Sequence, residues 1–143
     1  VIRDGAPEDR DAVEPLWAEC LRLHGIVPEP WVFARTWAFA LSGQGFGLRV
    51  AEGASGLAGF AFHSWQFNSW TGGTDGSLDT LFVAEAARGT GLGRALLDDL
   101  LALGRVRGWR TIFWHVAADN APARALYERL AEPDSYLRYR ITL

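Results

Sequence analysis

The sequence contains no lysine and no methionine, and Cys20 is its only cysteine. One thiol cannot close an intramolecular disulfide, and it cannot furnish a zinc ribbon or an iron–sulfur cluster. The missing lysine excludes P-loop NTPases, protein kinases and Schiff-base enzymes, because each of those chemistries runs through a lysine. Long apolar runs are also lacking. The densest stretch, Trp31 to Leu41, is broken by Arg35, whereas a membrane-spanning helix needs about 20 apolar residues. No targeting segment is recognisable, so a cytoplasmic, non-membrane protein is expected. All fourteen basic residues are arginine, and seventeen Asp plus Glu leave a formal charge of −3. That balance gives no basic footprint for a nucleic acid.

What is present suits one compact domain over residues 1–143. Of these residues 49% are hydrophobic, seven of them tryptophan. A chain of this length buries roughly 68% of its unfolded surface, enough for a core without staples. Arg3 to Glu8 carries turn residues, and Pro7 suits the first turn of a helix running through Val13, Leu16, Trp17, Cys20 and Leu21 to Gly25. A second helix is predicted from Trp31 to Leu41. Phe46 to Glu52 and Leu57 to Phe67 read as strands around the turn Gly53-Ala54-Ser55-Gly56. Ser77 to Val83 reads as a strand and Gly91 to Arg107 as an amphipathic helix with Leu92, Leu96, Leu100 and Leu103 inward. Thr111 to Val116 is the next strand. Asp119 or Asn120 then caps a helix carrying Pro122, and Tyr136 to Leu143 forms a last strand. Hairpins followed by strand–helix–strand predict a mixed α/β fold, antiparallel early with one parallel unit late.

The stretch that carries chemistry is Arg88-Gly89-Thr90-Gly91-Leu92-Gly93-Arg94. It lies between a strand and the start of a helix. Glycines let backbone N–H groups converge on one point, and the helix N-terminus adds partial positive charge there. Flanked by Arg88 and Arg94, this is a phosphate cradle in outline. A dinucleotide fingerprint needs different glycine spacing, and no acidic residue occurs in Thr111 to Val116 to hold a ribose. The spacing that fits is Arg-x-x-Gly-x-Gly, from Arg88 to Gly93.

These residues, with Asn120-Ala121-Pro122-Ala123-Arg124-Ala125-Leu126-Tyr127, resemble the GCN5-related N-acetyltransferases (GNAT). Leu78-Asp79-Thr80-Leu81-Phe82-Val83 looks most like the diamine-acetyltransferase branch. One departure stands out: where family members continue with Gly-Phe, Leu130 runs into Ala131-Glu132-Pro133-Asp134. The resemblance implies a GNAT-like acyltransferase fold: a mostly antiparallel sheet, one parallel strand–helix–strand unit and flanking helices. It also implies acetyl-CoA as cosubstrate without a metal. Arg88, Gly89, Thr90, Gly91, Leu92, Gly93 and Arg94 would hold its pyrophosphate. Leu81, Phe82 and Val83 would offer backbone groups to the pantetheine arm, with Asn120 and Ala123 as further cofactor contacts. Tyr127 would protonate the leaving thiolate, and Asp79 would take the amine's proton or bind its cation. A small amine, diamine or polyamine is the implied acceptor, and the family's habits allow a homodimer.

Each assignment has a plainer alternative. Tyr127 also falls on the packing stripe of its helix, Asn120 also caps that helix, and Asp79 also suits a solvent-facing strand position. His24, His63 and His115 do not stand at metal-ligand spacing, so no zinc site is expected. His63 is an alternative base, with half-buried packing the stronger reading, and His115 is expected to line the splayed strands. Trp31, Phe33, Trp37, Phe67 and Trp70 fall where the family forms its acceptor pocket, and core packing explains them equally. Without a GxSxG elbow, direct transfer in a ternary complex is expected rather than an acyl-enzyme. The rival functions are a protein or peptide amine acetyltransferase, a non-catalytic acyl-CoA-binding module, and a protein binding ATP or NAD.

Overall fold

The computed structural model describes residues 1–143. A five-stranded sheet runs in the order of the chain: β1 (Ile2–Asp4), β2 (Phe46–Gly53), β3 (Gly56–Asn68), β4 (Gly73–Val83) and β5 (Ile112–Trp114). The first three pairings are antiparallel and β4–β5 is parallel, which is the mixed α/β arrangement that the sequence predicts. Helices α1 (Arg10–Leu23) and α2 (Pro30–Ala40) cover one face, while α3 (Leu92–Arg107) and α4 (Ala121–Tyr127) cover the other.

Strand alternation sorts the core into two layers. Leu48, Val50, Phe60, Phe62 and Phe82 meet Val13, Trp17, Cys20 and Trp37 of the first helix pair. Ala51, Ala61 and Leu78 point the opposite way and meet Leu96, Leu97 and Leu100 of α3. Ion pairs fasten the sheet to both helical layers, Arg3 of β1 to Asp9 before α1 among them. Arg49 of β2 makes a bidentate bond to Asp99 of α3, at 2.7 and 2.9 Å.

Several boundaries differ from expectation. Residues 2–4 form an edge strand where turn chemistry is predicted, because three residues carry no readable period. Residues 7–9 form a 3-10 turn, and the α-helix begins only at Arg10. Strand β4 starts at Gly73, four residues early, since pairing with the long β3 overrides the weak strand preference of Gly73-Thr74-Asp75-Gly76. Gly76 must lack a Cβ because the Trp109 indole occupies that space. On α3, Gly104 rather than Leu103 is the last fully buried position, again beneath Trp109.

The predicted last strand, Tyr136 to Leu143, does not form. Residues 131–135, which lead into it, line a cavity of about 630 Å³ together with β5, and no ladder forms between the C-terminal segment and β5. A strand gains its stability from pairing, and without it Tyr136, Leu137, Tyr139 and Ile141 stand exposed.

Candidate active site

The site begins where the sheet parts. Strands β4 and β5 pair from Gly76/Ile112 to Leu78/Trp114 and no further. Strand β4 continues to Val83, so the backbone of Thr80 to Val83 has β3 on one side and no strand on the other. At the point of parting, Phe62 faces Thr80 while His63 faces Leu78, which leaves Asp79 as the extra residue of a bulge. A bulge re-aims side chains and ends regular pairing. Here it turns Asp79 toward Ser77, whose hydroxyl donates to Asp79 Oδ1 at 3.2 Å.

A cleft of about 430 Å³ opens on this side, lined among others by Ser64, Ser77, Asp79, Phe113 and His115. Asp79 reaches solvent there, yet crowding by the cleft walls raises its carboxyl above the ordinary value of 3.8. The Ser64 and Ser77 hydroxyls and His115 oppose that rise in part.

The glycine loop sits at the end of β4. Gly89 and Gly91 have φ of +76° and +87°, a conformation that L side chains rarely adopt. Gly91 is the N-cap of α3, and its carbonyl accepts the helix's first regular bond from Ala95. The N–H groups of Leu92, Gly93 and Arg94 precede that bond and have no partner within the helix. Thr90 Oγ1 donates to the Ala87 carbonyl at 2.6 Å, which fixes the loop. Arg88 donates to the Val83 carbonyl at 3.1 Å and lies over the Phe82 ring. Arg94 pairs with Asp98 one turn along the helix. Leu81 and Val83 pack against the α3 layer and Phe82 against the other.

On α4, Asn120 caps the helix by accepting from the Ala123 N–H at 3.3 Å. Tyr127 is half-buried edge-on against Trp114, with ring centroids 5.3 Å apart. Burial raises its phenol above the ordinary value of 10, so it stays protonated at neutral pH. Tyr127 and Asp79 line different cavities, which have Phe113 of β5 in common.

His63 lies on the α3 face, away from Asp79. It is 1% exposed, with Trp65 and Trp109 beside it, so of the two sequence readings packing is correct. His115 lines the cleft as expected. The aromatic set does not. Trp37 is core, Phe33 packs against it, and Trp31, Phe67 and Trp70 are exposed; none borders the cleft. Among the residues that do border it and escaped sequence reasoning are Ser64, Gln66, Asp75, Ser77 and Arg138. The β3–β4 register, which pairs Ser64 with Ser77 and Gln66 with Asp75, is the signal that would have found the first four, whereas no sequence signal points to Arg138.

This fold is shared with a ribosomal-protein-alanine N-acetyltransferase from Brucella melitensis biovar Abortus 2308. The TM-score is 0.86 at 22% identity, covering 100% of this chain and 99% of that one. The two chains thus share one fold. The profile of the Acetyltransferase (GNAT) family matches residues 10–131, and the chain belongs to that family. The D-amino-acid N-acetyltransferase of Saccharomyces cerevisiae is 26% identical over 98% of this chain and 89% of its own length. A mycothiol acetyltransferase from Beutenbergia cavernae is 47% identical over 53 residues. That match takes in 37% of this chain and only 18% of the relative.

Proposed function

We propose that the protein transfers the acetyl group of acetyl-CoA directly to a primary amine of a small molecule, within a ternary complex. The observation that carries this reading is the parted sheet, with an unpaired β4 backbone and the Gly89/Gly91 loop at one end. An extended, phosphate-bearing ligand suits both features. Backbone N–H groups at the loop receive the pyrophosphate, with Arg88 and Arg94 flanking it and Thr90, Leu92 and Gly93 completing the turn. Leu81, Phe82 and Val83 offer main-chain groups to the pantetheine arm as an added strand would. Asn120 and Ala123 border the same ligand from α4.

The chemistry follows from where protons are held. The acceptor arrives as an ammonium, and Asp79 takes a proton from it directly or through water. A carboxyl raised by its surroundings is better matched to this task than an ordinary one. The freed amine attacks the thioester carbonyl, a C–N bond forms and the C–S bond breaks. Tyr127, kept protonated by burial, gives its proton to the departing sulfur. Cys20 is buried on α1 among core residues, and burial raises its thiol, which disfavours an acyl-enzyme. No cluster of metal-ligating side chains is present.

Two acceptor classes suit the cleft. Asp75 and Asp79 favour a diamine or polyamine, while Arg138 and the yeast relative's printed activity favour an amino acid. The test is thiol release with acetyl-CoA and a panel of amines across pH. Tyr127→Phe should lower kcat by about a hundredfold or more with little change in KM for acetyl-CoA. Asp79→Asn should abolish the acidic limb of the profile. Unchanged turnover in Tyr127→Phe removes it as the acid, and an unchanged profile in Asp79→Asn removes it as the base.

A further inference from the structure

The C-terminal end of α3 carries positive charge that the rest of the molecule does not neutralise. Arg105, Arg107 and Arg110 fall within six residues, and no Asp or Glu occurs between Asp99 and Asp119. None of the three takes part in an ion pair of the structure. The negative pole of α3 offsets only about half a unit charge, which leaves most of the three uncompensated. The group is also held in place. Past the left-handed Gly108, the Trp109 N–H donates to the Gly104 carbonyl and the Arg110 N–H to the Thr74 carbonyl, both at 2.9 Å. Arg107 lies over Trp65 and Trp109, 4.9 and 5.9 Å from the ring centroids.

Apolar surface borders these charges. Val106 is 87% exposed, and Phe67, two residues beyond Trp65 on the same sheet face, is 72% exposed. Trp65 and Trp109 line a cleft of about 410 Å³ with Arg107 and Thr74. Arginine and tryptophan beside exposed apolar residues are the make-up of a protein-binding surface. A single nucleic-acid strand would need open ring faces for its bases. Here Trp65 and Trp109 stack on each other, Arg107 lies over Trp65, and Trp109 rests on Gly76 and Gly104. The net charge of −3 also disfavours a long polyanion. We propose that this end of the molecule docks a segment of a partner protein in which carboxylates alternate with apolar or aromatic side chains. The proposal does not rest on the transferase reading. Helix α3 rises about 24 Å over its 16 residues, so docking at its C-terminal end leaves the glycine loop open.

The probe is a short fluorescein-labelled peptide built from glutamate and tyrosine, followed by fluorescence anisotropy at low salt. It should bind, and bind more weakly as salt rises. An all-glutamate peptide of equal length should bind several-fold more weakly, because it lacks the apolar contacts. Arg107→Gln and Arg110→Gln should each weaken binding by about tenfold. Both side chains are exposed, so the melting temperature should hold. Arg22→Gln removes the same charge from an exposed position on α1 and should leave binding nearly unchanged. No binding of the glutamate–tyrosine peptide to the wild-type chain overturns the proposal. So does an equal loss in Arg22→Gln, which would reduce the effect to net charge, or equal affinity for the all-glutamate peptide. Tighter binding of an oligothymidylate, lost in Arg107→Gln, would assign the patch to single-stranded nucleic acid and overturn the protein partner.

Discussion

Burial dictates the chemistry of single residues here, and His63 is the clearest case. Its ring fills the space over Gly47, where an added Cβ would come within 2.7 Å of Nε2. Trp65 and Trp109 flank it, Arg107 lies over Trp65, and neither ring nitrogen has a partner. Burial, with the nearby Arg107 and Arg49 charges, pushes its pKa down from 6.5 to about 4. The unfolded chain therefore binds more protons than the folded one between those values, and stability rises with pH across that window and levels off above it. The full effect is on the order of 3 kcal/mol. Replacing His63 by Phe should flatten the dependence of the urea midpoint on pH between these two values. If the slope persists in His63→Phe, the proton uptake belongs to another group.

At the scale of elements, the glycines of one loop have opposite requirements. Gly91 caps α3 with φ of +87°, so Gly91→Ala forces a side chain into left-handed backbone and should cost about 1–2 kcal/mol. Gly93 lies inside the helix, and an added Cβ would meet Leu81 and Val83 at 3.7 Å, an ordinary contact. Gly93→Ala should therefore be neutral or stabilise by up to about 1 kcal/mol. Melting curves of the two variants should move in opposite directions, and parallel shifts would count against this account of the loop. Helix α3 and its loop were legible because their signals are local: a regular leucine stripe and glycines at a strand–helix junction. Of the cleft between β4 and β5, Asp79 and His115 were named from the sequence and the rest was not. Asp79 lies in a bulge that exists only as a register shift between β3 and β4. Asp75 belongs to a stretch, Gly73 to Gly76, whose composition opposes strand formation. A cap at Asp119 or Asn120 was readable from Pro122, and the structure gives it to Asn120. The absence of a last strand was not, because alternation in Tyr136 to Leu143 describes a segment able to pair and says nothing about whether a partner edge is within reach.

The molecule as a whole is a sheet that is continuous through β4 and open beyond Leu78. Its two packing layers are joined mainly through β2, β3 and β4, while β5 contributes three residues and α4 seven. A ligand lying along β4 from the loop to Asp79 would add contacts where the sheet has none, tying β4 to the start of α3 and to α4. Binding to the folded state alone stabilises by about 2.7 kcal/mol at 100 times the dissociation constant. For a domain of this size that raises Tm by roughly 5–10 °C. Acetyl-CoA and CoA should both produce this shift, whereas ATP and NAD should not, because they lack the pantetheine arm that the unpaired backbone of Thr80 to Val83 would hold. Gly91→Ala should reduce the shift at a given ligand concentration, since it disturbs the N–H groups proposed to receive the pyrophosphate. Equal shifts with ATP and CoA would mean that the loop binds phosphate without the strand, and the transferase reading would lose its main support.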